Sequence, residues 1–214
     1  MTRPILRAAE RTLFASAVLC LGLYGAGTAE AWLFGLREQA RLAAASGEGS
    51  VPGPSPAFYT SQSLRSSAQS GHAWGRIEVS RLGLDALVAE GIDPATLRVA
   101  VGHLPDTAFP DEVGNVALAG HRDSVFRPLR DLSAGDVVRL TTPLGAFTYE
   151  VDAIAIVAPD RTDLIAYGAE RVLTLVTCYP FTYVGRAPQR FVVRARLLQP
   201  PPATLVSLSG RGSL

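Results

Sequence analysis

Cys178 closes the run Thr174-Leu175-Val176-Thr177-Cys178 and is followed by the turn Tyr179-Pro180. A lone cysteine at the end of a strand-like run is a candidate nucleophile wherever a histidine and a cation can reach it. The chain's other cysteine, Cys20, lies inside an apolar N-terminal stretch, so Cys178 is the one thiol expected to meet water. A thiol attacks as thiolate, and it needs an imidazole or cation to take its proton, plus a donor for the oxyanion formed at an attacked carbonyl. His121 directly follows Asn115 to Gly120, at the end of a predicted strand, where a scaffold presents side chains to a groove. His72 falls in a spacer and His103 in a loop. Arg190 opens the last predicted strand, and two adjacent antiparallel strands would bring it to the same end as Cys178. Taken singly, each has a plainer reading: a structural histidine, a surface arginine, a small buried hydrophobe. A metal site at His121 and Cys178 lacks further ligand-like pairs beside either residue.

The elements that would position these groups are legible from turn signals. Between Gly, Pro and Asp punctuation, apolar and β-branched runs recur at Arg76–Val79, Asn115–Ala119, Asp136–Leu140, Ala146–Ile156, Arg171–Cys178 and Arg190–Leu198. Such spacing predicts an all-β sandwich or closed barrel. Short helices are expected at Pro94–Ala100 and Val125–Leu132. The folded domain, residues 74–198, is expected to begin near Trp74, and the proline run after Gln199 leaves residues 199–214 as a loose tail.

Ahead of the domain, residues 46–73 are rich in Ser, Gly and Pro and read as a spacer. Residues 1–45 carry Arg3, Arg7 and Arg11 and then an uncharged run from Thr12 to Ala29. That length is near the lower edge of a helical membrane span, roughly 17–25 residues. A cleaved signal peptide is the competitor, supported by the small residues Gly25, Ala26, Gly27 and Ala29, although its apolar core usually runs only about 7–15 residues. A retained anchor, with basic residues before the span, puts the N-terminus in the cytoplasm and the domain outside. With 48% hydrophobic and 18% charged residues the chain holds one ordinary domain plus accessories. A formal net charge of +1, with scattered arginines and no lysine, gives no cationic field for nucleic acid.

Read together, the local sequences resemble the sortases. Thr174-Leu175-Val176-Thr177-Cys178 resembles their TLxTC signature, Arg190 falls at their essential arginine, and Leu118-Ala119-Gly120-His121-Arg122-Asp123 resembles the segment with their catalytic histidine. Gly114-Asn115-Val116, Phe126-Arg127-Pro128-Leu129, Gly135-Asp136, Cys178-Tyr179-Pro180-Phe181 and Gly185 through Phe191 look like the class D branch. The likeness runs from about Arg76 to Ala195. It departs at Val79-Ser80-Arg81, where a proline is usual, and at Asp111, where a glycine is usual.

The resemblance implies an eight-stranded sortase-type β-barrel, and catalysis by His121, Cys178 and Arg190 without metal or organic cofactor; the one N-terminal transmembrane helix expected from residues 1–45 agrees with it independently. Cys178 would attack the carbonyl after threonine in an LPxTG-like motif, class D often preferring LPxTA. The thioacyl enzyme would pass its acyl group to an amine, on a cell-wall precursor or a protein. Its partners would be exported proteins with a C-terminal sorting motif. A cysteine peptidase releasing to water and a non-catalytic membrane-tethered binding module are the alternatives. Leu104-Pro105-Asp106-Thr107-Ala108 itself matches LPxTA, but no apolar span and basic tail follow, so it reads as an ordinary loop.

Overall fold

A computed structural model of the chain describes residues 3–46, 64–65, 68, 71–165 and 168–199. Most of the expected spacer and the tail beyond Gln199 lie outside the described residues. The chain divides into two units, Met1–Arg37 and Glu38–Leu214.

The first unit is carried by α1, Arg3–Ser46. Leu13, Phe14, Leu21, Leu23, Tyr24 and Trp32 are all exposed on it. Among the described residues no helix is long and apolar enough to cross a membrane, so the expected span is not met there. The run Thr12 to Ala29 includes residues 27 and 28, whose side chains lie outside the described set.

The second unit is the expected eight-stranded closed barrel. Its strands are β1 Ala73–Val79, β2 Leu84–Glu90, β3 Val101–His103, β4 Asn115–Ala119, β5 Val137–Thr142, β6 Gly145–Val157, β7 Val172–Tyr179 and β8 Gln189–Gln199. They pair in the order β1-β2-β3-β4-β7-β8-β6-β5, and β5 returns to β1. Two contacts are parallel, β2 with β3 and β4 with β7. The short helix α2, Pro94–Val99, starts as expected, with Asp93 accepting from the amides of Ala95 and Thr96 at 3.0 and 3.1 Å and proline in the first turn. A 3-10 turn at Arg127–Asp131 occupies the second expected helix. Arg81, at one departure from the family pattern, forms a two-pronged pair with Asp136 and ties the β1–β2 turn to the approach to β5.

The core follows the two-residue period of the strands. Val116 and Leu118 of β4, Leu173 and Leu175 of β7, and Phe191, Val193 and Ala195 of β8 all point inward and are buried. Their neighbours in sequence therefore face outward, and that outer face carries the chemistry described below.

Two expectations need correction. His103 is not a loop residue: it ends β3 at 1% exposure, with Nδ1 2.7 Å from Glu90 Oε2 and Nε2 2.9 Å from Thr107 Oγ1. Trp74 and Phe109 pack on its ring with centroids 5.3 and 4.8 Å away. The same network disposes of the internal LPxTA match. Thr107 and Ala108 are buried, the Thr107 hydroxyl donates to Leu104 O at 2.7 Å, and the Ala108 amide donates to Asn115 O at 3.0 Å. The bond between them lies buried in the β3–β4 connection.

The second correction concerns where the domain starts. Leu64, inside the segment read as spacer, is 2% exposed and belongs to the core. Arg65 beside it donates to both oxygens of Glu112 and, at 3.1 Å, to Thr107 O, and its guanidinium lies 5.0 Å from the Phe109 ring centroid. A single leucine and arginine could peg the chain here because the barrel end offers an apolar socket beside an acid, which no local pattern announces. Removing residues 1–45 is expected to leave a soluble, active domain. Removing residues 1–73 should lower stability by about 1.5–3 kcal/mol through Leu64 alone. Thermal unfolding of the two truncations checks this, and equal melting temperatures would show that the strap contributes nothing. The strap is also acid-labile. The Arg65 hydrogen bond holds the Glu112 carboxyl below its ordinary value of 4.5, so its contribution is present above that pH and lost as pH falls through the lowered value.

Candidate active site

β4 and β7 run parallel, and β8 runs back antiparallel beside β7, so the C-terminal ends of β4 and β7 and the start of β8 share one end of the barrel. The register pairs Cys178 with Arg190 directly across the β7–β8 ladder. Directly opposed residues on an antiparallel pair have Cβ atoms about 4.5–5.5 Å apart. On the other side, Ala119 pairs with Val176. His121 follows two residues after Ala119, just past the end of β4. The three residues named from sequence thus stand at one end of the barrel, two facing each other on adjoining strands and His121 just past the end of a third.

Gly120 makes the delivery of His121 possible. A Cβ there would meet the Phe126 ring at 2.7 Å and Val125 at 2.9 Å, so no other residue lets the chain turn so close beneath these side chains. Both backbone groups of Gly120 are bound to β7: its amide donates to Val176 O at 3.2 Å, and the Thr177 hydroxyl donates to its carbonyl at 2.7 Å. The turn closes with the Phe126 amide on His121 O at 3.0 Å. His121 is exposed, whereas Cys178 and Arg190 are half-buried. Arg190 Nη1 donates to Gln189 O at 3.0 Å and reaches Ala187 O at 3.4 Å, and among the described residues no carboxylate pairs with it. Arg194 and Arg196, two and three steps along the same outward row, are paired instead with Asp152, Glu170 and Glu150. Inside the barrel mouth, Tyr179, Phe181 and Phe191 pack as an aromatic cluster that holds the ends of β7 and β8, with centroids 5.2–6.3 Å apart.

Arg122 was not singled out from sequence, and its position after His121 was the only signal available. Its Nη2 donates to the carbonyls of Tyr183 and Gly185 at 2.6 and 3.1 Å, with the guanidinium 5.9 Å from the Tyr183 ring centroid. It therefore couples the histidine turn to the loop that separates Cys178 from Arg190.

An apolar groove of about 290 Å³ runs into this row. Its floor is the next outward row, Ala119, Val176 and Val192, and Arg190 stands at its mouth. Ile92 and Leu104 line it beside β4, and Val157, Ala158 and Pro159 beside β8. A thiol opposite a guanidinium that no carboxylate neutralises, with that guanidinium lining an apolar trough, is suited to acyl transfer from an extended peptide. Among the described residues no cluster of three or more metal-ligating side chains forms.

The family model for the sortase domain matches residues 77–198. The chain belongs to the sortase family. Sortase D of Bacillus subtilis (strain 168) is 42% identical over 126 residues, covering 58% of this chain and 64% of that protein, so the match spans just under two thirds of the relative. A Clostridium perfringens sortase D5 transpeptidase superposes with a TM-score of 0.57 at 30% identity, over 66% of this chain and 91% of that one. A sortase C from the same species, solved with the C-terminal cell wall sorting motif, gives a TM-score of 0.56 at 26% identity, over 62% and 74% of the two chains. The class D likeness of this sortase and its eight-stranded barrel accord with these relatives.

Proposed function

We propose that this sortase is a cysteine transpeptidase that cleaves an LPxTG- or LPxTA-like sorting motif after threonine and transfers the acyl group to an amine. The observation that carries the reading is the pairing of Cys178 with Arg190 across the β7–β8 ladder, where Arg190 lines an apolar groove and His121 follows the end of neighbouring β4. Leucine and proline of the motif would lie on Ala119, Val176 and Val192, which brings the threonine carbonyl to Cys178. The sulfur forms a bond to that carbon, the C–N bond breaks, and His121 gives its proton to the leaving amine. An incoming amine then attacks the thioester, His121 takes its proton, and the C–S bond breaks. Arg190 donates to the motif backbone and to the oxyanion of each tetrahedral intermediate.

The deciding experiment incubates the protein with an LPxTA-type peptide, with and without an added amine. A new amide to that amine is the expected product. Release only to water, with amine present, would make this a hydrolase, and no turnover at all would leave a binding module.

Arg190→Lys is expected to lose about 10²-fold in kcat, because a compact ammonium cannot serve a carbonyl and an oxyanion together as the planar fork does. Arg194→Lys and Arg196→Lys, whose partners are surface acids, should stay near wild type. Turnover at saturating peptide tests the set, and near-normal kcat for Arg190→Lys would show that charge alone suffices.

α1 supports a place at the membrane. Large apolar side chains are exposed along it, at 70% for Leu13, 72% for Phe14 and 64% for Trp32, and a helix apolar on all sides needs an apolar surrounding. The basic residues before it favour a cytoplasmic N-terminus and an external catalytic domain. Substrates would then be exported proteins bearing a C-terminal sorting motif. Alkaline extraction of membranes should retain the full chain and release the protein lacking residues 1–45.

A further inference from the structure

Two polar side chains on the outer face of the barrel have no exposure to explain them. Asn115, at the start of β4, is 4% exposed, and Thr174 of β7 is 1% exposed. Buried polar groups of this kind persist when each finds a partner. The Thr174 hydroxyl donates to Asn115 Oδ1 at 2.8 Å, and Asn115 Nδ2 donates onward to the carbonyl of Leu164 at 3.2 Å. Leu164 belongs to the 3-10 turn Thr162–Ile165 between β6 and β7, and it lines the groove. Arg161, another lining residue, is held to Asp163 of the same turn at 2.7 and 2.8 Å. The turn is thus stiffened from within and pegged to the barrel wall from below, at the groove end remote from Cys178.

We infer that Asn115 and Thr174 are positioning residues that set the far wall of the groove, and hence the affinity for the apolar end of the substrate peptide, without acting on the acyl-transfer step. This rests on the reading of the groove as the seat of the sorting motif. Asn115 serves because its amide presents an acceptor to Thr174 and a donor to Leu164 at once. Aspartate keeps the acceptor and loses the donor, and valine in place of Thr174 keeps the shape and loses the hydroxyl that orients the amide.

The test measures kcat and KM of the full-length chain in detergent with an LPxTA-type peptide and an amine, beside the rate of Cys178 alkylation by iodoacetamide without peptide. Asn115→Asp and Thr174→Val should each raise KM about tenfold, the worth of one buried hydrogen bond. Their kcat and alkylation rates should stay at wild-type levels, and Thr174→Ser should restore the wild-type KM. Thr174→Val against Thr174→Ser carries the test by itself where Asn115→Asp does not fold. An unchanged KM in the folded variants, or parallel losses in kcat and alkylation, would overturn the positioning role. Val192→Asp separates the premises: an unchanged KM there removes the groove reading and this role with it. A raised KM there beside a wild-type KM in Thr174→Val overturns the positioning role alone.

Discussion

Cys178→Ala is expected to abolish acyl transfer while leaving the melting temperature at the wild-type value. The thiol is the proposed covalent centre, and the chain's other cysteine, Cys20, lies far away in sequence on α1. Its side chain lies at the strand end and outside the inward-facing core set, so its loss leaves no cavity in the barrel. The second thiol supplies the internal control. Cys20 is exposed on α1, so Cys20→Ala should remove a reactive group and retain full activity. Product formation from an LPxTA-type peptide, followed by mass spectrometry for the trapped thioacyl enzyme, reads both variants. Normal turnover in Cys178→Ala would end the transpeptidase reading.

His121→Ala should be nearly as severe. A positioned general acid–base group contributes about 10²–10⁴-fold, and here the imidazole must both protonate the leaving amine and deprotonate the incoming one. The informative comparison is with His103. His103→Ala removes a ring buried between Trp74 and Phe109 and strands Glu90 and Thr107, which should reduce stability by about 2–5 kcal/mol while kcat of the folded fraction stays near wild type. His72→Ala should spare kcat as well. Measuring kcat and the unfolding midpoint for the three variants separates chemistry from architecture. Equal losses of kcat at His121 and His103 would mean that the site had been assigned from the wrong histidine.

The barrel and its reactive row were readable from sequence to different degrees. β4 to β8 announced themselves through apolar, β-branched runs between turn residues, and the TLxTC-like segment named Cys178 while strand adjacency suggested Arg190. β3 could not be found this way: Val101–His103 is three residues long and is specified by its partners on both sides. β2 was missed too, because Leu84-Asp85-Ala86-Leu87-Val88-Ala89-Glu90 breaks the strict alternation a half-buried strand would show. With both strands unread, His103 appeared to belong to a loop. Leu64 and Arg65 were hidden for a different reason, since a peg of two residues has no period. The roles of Asn115 and Arg122 depend on the carbonyls of Leu164, Tyr183 and Gly185, and main-chain acceptors on distant loops leave no trace in side-chain pattern.

The parallel pairing of β4 with β7 also governs when the thiol becomes dangerous. The Thr177–Gly120 bond that brings the two catalytic segments together joins residues 57 apart, and no hairpin links their strands. Contacts of such separation form late, after the intervening chain has been organised. A chain still being synthesised therefore carries an ordinary cysteine and an ordinary histidine. Acyl-transfer chemistry would switch on only when the sheet closes, so folding itself would act as the safety catch that a propeptide provides in other thiol enzymes.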